Sequence, residues 1–258
     1  MINVSCIIPV FNDTHNLLNA VESCLMQGEN TEVIIVDDCS TDTSFKVAQQ
    51  IAATSGERVQ ALQNIKNSGP ALTRNHGALH ARGELLCFLD SDDQYLAGFT
   101  KLCAALLKQH PEWAVVKTLI DIVNPDGSRP LAKDDPRLKA AANSYPCNML
   151  VRKEVFWAIG GFSTDVRHRG PLAGEDTAFY SAVVKLFHCV TIQQAFVVHN
   201  NRPGSHLETF LARTRVENGK IIFLHSDQAL KEQEMTSASN DYFARAKRNL
   251  TSLKLCSK

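Results

Sequence analysis

Between residues 4 and 89, short apolar runs alternate with segments whose apolar residues recur every three or four positions. Val4–Val10, Glu32–Asp37 and Leu85–Leu89 are nearly unbroken apolar runs, the pattern of strands covered on both faces. A weaker run at Arg58–Leu62 predicts a further strand. Between the runs, Leu17, Leu18, Val21 and Leu25 share one helical face that stops at Gly28. Phe45, Val47, Ala48 and Ile51 share another. A third helix starts at Asn67-Ser68-Gly69-Pro70, with proline near its first turn, and runs to Ala81. Strict alternation of strand and helix predicts a parallel sheet with right-handed crossovers, a doubly wound nucleotide-binding plan.

The alternation then weakens. Phe99, Leu102, Cys103, Leu106 and Leu107 predict an amphipathic helix, Trp113–Val123 a strand, and Asn124-Pro125-Asp126-Gly127 a turn. Residues 128–144 are polar and aperiodic and read as a loop. Cys147–Val151 reads as a strand, Lys153–Ile159 as a short helix closed by Gly160-Gly161, Glu175–Phe187 as a helix and Val190–Val198 as a strand. From Thr209 onward the chain reads as helix. The expected organisation is one domain over 1–215, with a nucleotide-binding half (1–105) and an acceptor-binding half (106–215), followed by a C-terminal helical extension over 216–258.

Composition changes this picture little but excludes a good deal. Lys+Arg (27) equals Asp+Glu (27) in 258 residues, so no global field points to nucleic acid. The eight cysteines form no Cys-x-x-Cys pair, and Cys6 and Cys87 sit inside apolar runs, where cysteine acts as a small hydrophobe. Free thiols in a reducing cytosol are expected. No basic segment leads into a long apolar stretch near the N-terminus, and no window approaches the ~18 apolar residues of a membrane span. A cytoplasmic protein is expected, with peripheral membrane association and a homodimer left open.

The candidate chemistry lies where the apolar runs end. In an open α/β sheet, ligands bind at the carboxyl ends of the strands. One run ends in Asp37-Asp38, and another in Asp90-Ser91-Asp92-Asp93. Three carboxylates so crowded repel one another unless a cation sits among them, and a divalent metal carrying phosphates is the natural candidate. A third acidic group, Gly174-Glu175-Asp176, stands at a helix start. Arg74 and Arg202 are basic candidates for a diphosphate, and His199 and His206 for a metal or phosphate site. A Gly-x-Gly-x-x-Gly after the first strand, a Gly-x-x-x-x-Gly-Lys-Ser/Thr loop and a Gly-x-Ser-x-Gly elbow are all absent, which argues against dinucleotide, P-loop and hydrolase chemistry.

The order of motifs resembles glycosyltransferase family 2. It is carried by Ser5-Cys-Ile-Ile-Pro-Val-Phe-Asn12, Val36-Asp-Asp-Cys-Ser-Thr-Asp42, Asn67-Ser-Gly-Pro-Ala-Leu-Thr-Arg-Asn75, Phe88-Leu-Asp-Ser-Asp-Asp93 and Gly174-Glu-Asp176. Gly160-Gly161-Phe162 also resembles a family element. The resemblance is close over residues 3–100, looser over 145–206, and ends near 215. It implies a GT-A fold (a Rossmann-like, mostly parallel sheet flanked by helices) and an inverting transfer from a nucleotide-diphosphate sugar, in this family most often UDP-linked.

It also implies site roles. Pro9, Phe11, Asn12, Asp38, Arg74 and Asp90 are expected at the nucleotide, Asp92 and His199 at a Mn2+ or Mg2+ ion, Arg202 at the diphosphate, and Asp176 as general base. The acceptor is expected to be a saccharide or a lipid-linked saccharide. One departure is plain: many relatives carry His-Pro-Gly-Ser where this chain has Arg202-Pro203-Gly204-Ser205. Which of Arg202, His199 and His206 meets the metal or diphosphate stays open. The competing readings are an inactive nucleotide-binding or scaffold protein of the same fold and a sugar-nucleotide pyrophosphorylase, whose Gly-rich opening loop is missing here.

Overall fold

The computed structural model describes residues 3–169, 174–202, 204–224 and 229–252. The chain runs β1 (Val4–Val10), α1 (Leu17–Leu25), β2 (Thr31–Asp37), α2 (Ser44–Thr54), β3 (Val59–Gln63), α3 (Pro70–His80) and β4 (Leu85–Phe88). It continues through β5 (Gln94–Tyr95), α4 (Phe99–Gln109), β6 (Trp113–Val123), α5 (Pro136–Ser144), β7 (Met149–Arg152) and α6 (Lys153–Ala158). The remainder is α7 (Glu175–Leu186), β8 (His188–Asn200), α8 (His206–Ala212), β9 (Thr214–Glu217), β10 (Lys220–Phe223) and α9 (Ala229–Ser252).

Among the described residues, eight strands form one sheet in the order β3-β2-β1-β4-β7-β6-β8-β5. The β3-β2-β1-β4 half is wholly parallel. β7 joins β4 and β6 antiparallel, β8 runs parallel to β6, and two-residue β5 closes the edge antiparallel to β8. This is the mixed, mainly parallel sheet expected of the GT-A fold.

The unbroken apolar runs are explained by cover on both faces. Every residue of β2 is buried, Thr31 through Asp37. On one face Ile8, Val10, Val33 and Ile35 pack with Leu17, Val21, Ile51, Phe99 and Leu107 from α1, α2 and α4. On the other, Ile7, Ile34, Val36, Leu86 and Phe88 pack with Ala78, Phe156, Phe179, Val183, Ala246 and Leu250 from α3, α6, α7 and α9. α3 lies especially close: a Cβ on Gly77 would stand 2.5 Å from the Ile7 side chain.

Two expectations need correction. Residues 128–144 are not all loop, because α5 occupies Pro136–Ser144. The Asp135 carboxylate caps its first turn through the Arg137 N–H, and Pro136 sits at its first position. Nor is the chain helical throughout after Thr209. β9 and β10 form a hairpin through Asn218-Gly219, both at positive φ (49° and 72°), as a tight two-residue turn requires. β5 was also unforeseen, being too short to leave a pattern.

Candidate active site

The carboxyl ends of β1, β2 and β4 and the N-terminus of α7 converge on one edge of the sheet. Among the residues expected at the nucleotide, Pro9 lies near the end of β1, and Phe11, just beyond it, is 48% exposed. Asn12 takes a left-handed conformation (φ 51°), and its side-chain oxygen accepts from the Thr41 N–H at 2.8 Å. That bond ties the loop after β1 to the loop after β2. Asp38 is buried, and both its oxygens are in use. They accept from Asn64 (2.7 Å), the Ser68 N–H (2.8 Å) and the Gly69 N–H (2.8 Å). Asp38 thus fixes the turn that opens α3, where Gly69 needs a positive φ of 83°. One oxygen of Asp37 is buried with no partner among the described residues.

Arg74, on α3, is the hub. Its guanidinium is 4% exposed and reaches Asp90 at 2.7 Å, Asp176 at 3.0 Å and Glu175 at 3.5 Å. One side chain therefore joins the acidic turn after β4 to the start of α7. Asn75, the next residue, clamps the glycine turn before α7: it accepts from the Phe162 N–H and donates to the Phe162 carbonyl, both at 2.9 Å. Tyr242 of α9 completes this side. It packs on Ala178 and Ala182 of α7 and donates its hydroxyl to the Gly161 carbonyl.

The three acids of the turn differ in environment. Burial alone would raise the Asp90 carboxyl, but Arg74 beside it holds it below the ordinary carboxylate value. Asp92 is raised by burial and by neighbouring Asp90, against the pull of Arg202, whose Nε lies 2.6 Å away. Asp93 is fully buried, and burial pushes it up to about 6. It faces Nδ1 of His199 at 2.9 Å, and the opposite ring nitrogen of His199 meets the Tyr145 hydroxyl at 3.0 Å. Burial disfavours the charged imidazole, but Asp93 outweighs it, so His199 is raised. Asp13 stands nearby and accepts from the Ser91 hydroxyl at 2.7 Å. At the start of α7, burial raises Asp176 well above the ordinary range, with Arg74 opposing. Lys117 is fully buried below the site, lowered to about 8 by burial, and holds the carbonyls of Asn143 and Tyr145 at 3.2 and 3.3 Å.

The stretch of chain from β1 to the glycine turn after α6 matches a known family. The model for Glycosyl transferase family 2 fits residues 5–163. The chain belongs to glycosyltransferase family 2. EpsE of Bacillus subtilis strain 168, named a glycosyltransferase, is 33% identical over 173 residues, covering 64% of this chain and 62% of EpsE. The poly(ribitol-phosphate) beta-N-acetylglucosaminyltransferase TarS of Staphylococcus aureus strain Mu50 is 23% identical over 268 residues, covering 99% of this chain and 47% of TarS. The chain thus spans about half to three fifths of these two relatives. The crystal structure of S. aureus TarS 1-349 in complex with UDP-GlcNAc superposes with a TM-score of 0.62 at 20% identity, covering 99% of this chain and 76% of that one. That likeness confirms the GT-A fold.

The edge brings together Pro9, Phe11, Asn12, Asp38, Arg74, Asp90, Asp92, His199, Arg202 and Asp176. Arg202 lies outside the buried core, 64% exposed. Pro203 and residues 170–173, part of the loop before Asp176, fall outside the described residues. Sequence reasoning missed Asn75, Asp13, Tyr145 and Tyr242. Only Asn75 carried a local signal, as the neighbour of Arg74 inside a family motif.

A divalent cation fits this arrangement poorly. Among the described residues, no group of three or more His, Cys, Asp or Glu side chains is disposed to hold a metal. His199, an expected ligand, has both ring nitrogens engaged, and Asp92, the other, is paired with Arg202. Among the described residues no helix is long and apolar enough to cross a membrane.

Proposed function

We propose that the chain transfers a sugar from a nucleotide-diphosphate donor, with UDP as the first carrier to test, to a hydroxyl of a saccharide or lipid-linked saccharide. The observation that carries the reading is Arg74 holding Asp90 and Asp176 on one guanidinium. That contact sets the donor turn and the candidate base at a fixed separation. TarS, which shares the fold, is named for transfer of N-acetylglucosamine and has been crystallised with UDP-GlcNAc, which supports the choice of donor.

The reaction is a single displacement. Asp176 takes the proton of the acceptor hydroxyl. The oxygen attacks the anomeric carbon, the bond from that carbon to the β-phosphate oxygen breaks, and the electron pair leaves with UDP. Configuration inverts. A base works best when its pKa lies near the operating pH. Burial moves Asp176 in that direction, while Arg74 keeps an ionised form accessible. Charge on the departing diphosphate meets Arg202 at the mouth of the site.

Asp176→Asn tests the reading. Turnover of UDP-GlcNAc, scored as transfer or hydrolysis, should fall ~10²–10⁴-fold, the scale of general-base catalysis, with UDP affinity close to wild type. Wild-type turnover by this variant would remove Asp176 from the mechanism. A wild-type protein that no nucleotide stabilises against heat would remove the donor reading itself.

A further inference from the structure

Each of the crowded acids after β4 already faces a basic side chain of the chain itself. Asp90 faces Arg74 at 2.7 Å, Asp93 faces His199 at 2.9 Å, and Asp92 faces Arg202 at 2.6 Å. Arg74 and His199 are built into the core, whereas Arg202 is 64% exposed beside an Asp92 that is only 13% exposed. Its backbone is anchored to the same acidic turn. The Asn200 side chain donates to the Asp92 carbonyl at 2.6 Å, and the Asn200 N–H donates to Asp93 at 3.1 Å. On the other side, Asn201 reaches Asn124 at 2.9 Å, and the Ser205 hydroxyl reaches Asn201 at 2.9 Å. Arg202 is therefore held on Asp92 by the loop that bears it.

Resting on the donor reading above, we propose that Arg202 takes the part of a divalent cation: Asp92 orients its guanidinium through Nε, and the Nη edge binds the donor diphosphate. Donor binding and transfer then need no Mg2+ or Mn2+. The chemistry suits the task. A guanidinium is permanently charged, weakly hydrated, and offers a planar pair of donors that matches two phosphate oxygens. As the anomeric bond breaks, the electron pair moves onto the β-phosphate oxygen, and the fixed charge of Arg202 lies where that negative charge develops. A divalent ion at Asp92 would have to share that carboxylate with Arg202, which already holds one of its oxygens at 2.6 Å.

The test is isothermal titration of UDP into wild type, Arg202→Gln and Arg202→His, each with EDTA and with Mn2+, alongside UDP-GlcNAc turnover under both conditions. Arg202 is exposed, so the variants should keep the wild-type far-UV circular dichroism. Wild type should bind UDP and turn over donor in EDTA to within a few-fold of the Mn2+ values. Arg202→Gln should bind UDP roughly 10–100-fold more weakly in EDTA, the scale of a bidentate charged contact. In Arg202→His, Mn2+ should recover part of that loss, because Asp92 is released. Wild-type binding that appears only with Mn2+ overturns the proposal, as does an Arg202→Gln variant that binds normally in EDTA. Wild type that binds UDP in neither condition overturns instead the donor reading beneath it.

Discussion

Replacing Arg74 by Met probes the contact that joins the two halves of the site. Methionine keeps most of the apolar stem and deletes the guanidinium, with its charge, its bonds to Asp90 and Asp176 and its place over the Phe162 ring (Cζ to ring centroid 5.6 Å). The deletion leaves Asp90, Asp176 and Glu175 facing one another with no cation between them. Removing one partner of a buried ion pair typically costs about 3–5 kcal/mol. For a chain of this size that corresponds to a fall in Tm on the order of 10 °C.

The loss should depend on pH, and its sign follows from the two environments. In wild type Arg74 depresses Asp90, so that contribution is present above the unfolded carboxylate value and lost as pH falls through the folded one. In Arg74→Met Asp90 is raised instead, and Asp176, already raised by burial in wild type, is raised further without Arg74 opposing, so both lose stability as pH rises through their new values. The two trends oppose, so the gap between the proteins should widen from acid to neutral pH. Urea unfolding followed by circular dichroism at mildly acid and at neutral pH measures it. Adding Asp176→Asn to Arg74→Met should restore part of the stability, because one stranded carboxylate disappears. A cost below about 1 kcal/mol that is the same at both pH values would refute the reasoning, since it would mean the acids are solvated rather than held by Arg74.

Two further outcomes follow from the site. Because burial raises Asp176, the acid limb of kcat/KM should lie above the ordinary aspartate value of about 3.9, with activity falling as pH drops through it. A limb at or below that value, measured with donor in a pH series, counts against Asp176 as a buried base. Tyr242→Phe keeps the ring packed on Ala178 and Ala182 but removes the bond to the Gly161 carbonyl. It should lower kcat roughly fivefold, the worth of about 1 kcal/mol, with UDP affinity unchanged, whereas equal loss in both would mark a general structural role.

Much of the fold was legible because its signals are local. β1, β2 and β4 are central strands covered on both faces, so their apolar runs could hardly be anything else. α5 was missed although its start is written in Asp135-Pro136, because only Ala141 and Ala142 of that helix are buried and it carries no apolar stripe. The hairpin was missed for another reason. Asn218-Gly219 is a strong turn signal, but it sits between strands of only four residues, Thr214–Glu217 and Lys220–Phe223, too short to interrupt a helical reading.

The site shows the same division between local and distant information. That acids gather at a strand end can be read along the chain, and so can the need for a cation among them. Which cation answers cannot be read there. Arg74 and Asp176 are separated by 102 positions, and Asp93 and His199 by 106. Crowded carboxylates are equally well served by a metal or by guanidinium and imidazole groups brought in by the fold, and the sequence pattern is the same in both cases. His199 illustrates the point. A histidine at a strand end beside three acids reads as a metal ligand, yet its two nitrogens lie on Asp93 and on Tyr145. There it joins the acidic turn to the end of α5, and the side chain left facing Asp92 at the mouth of the site is Arg202.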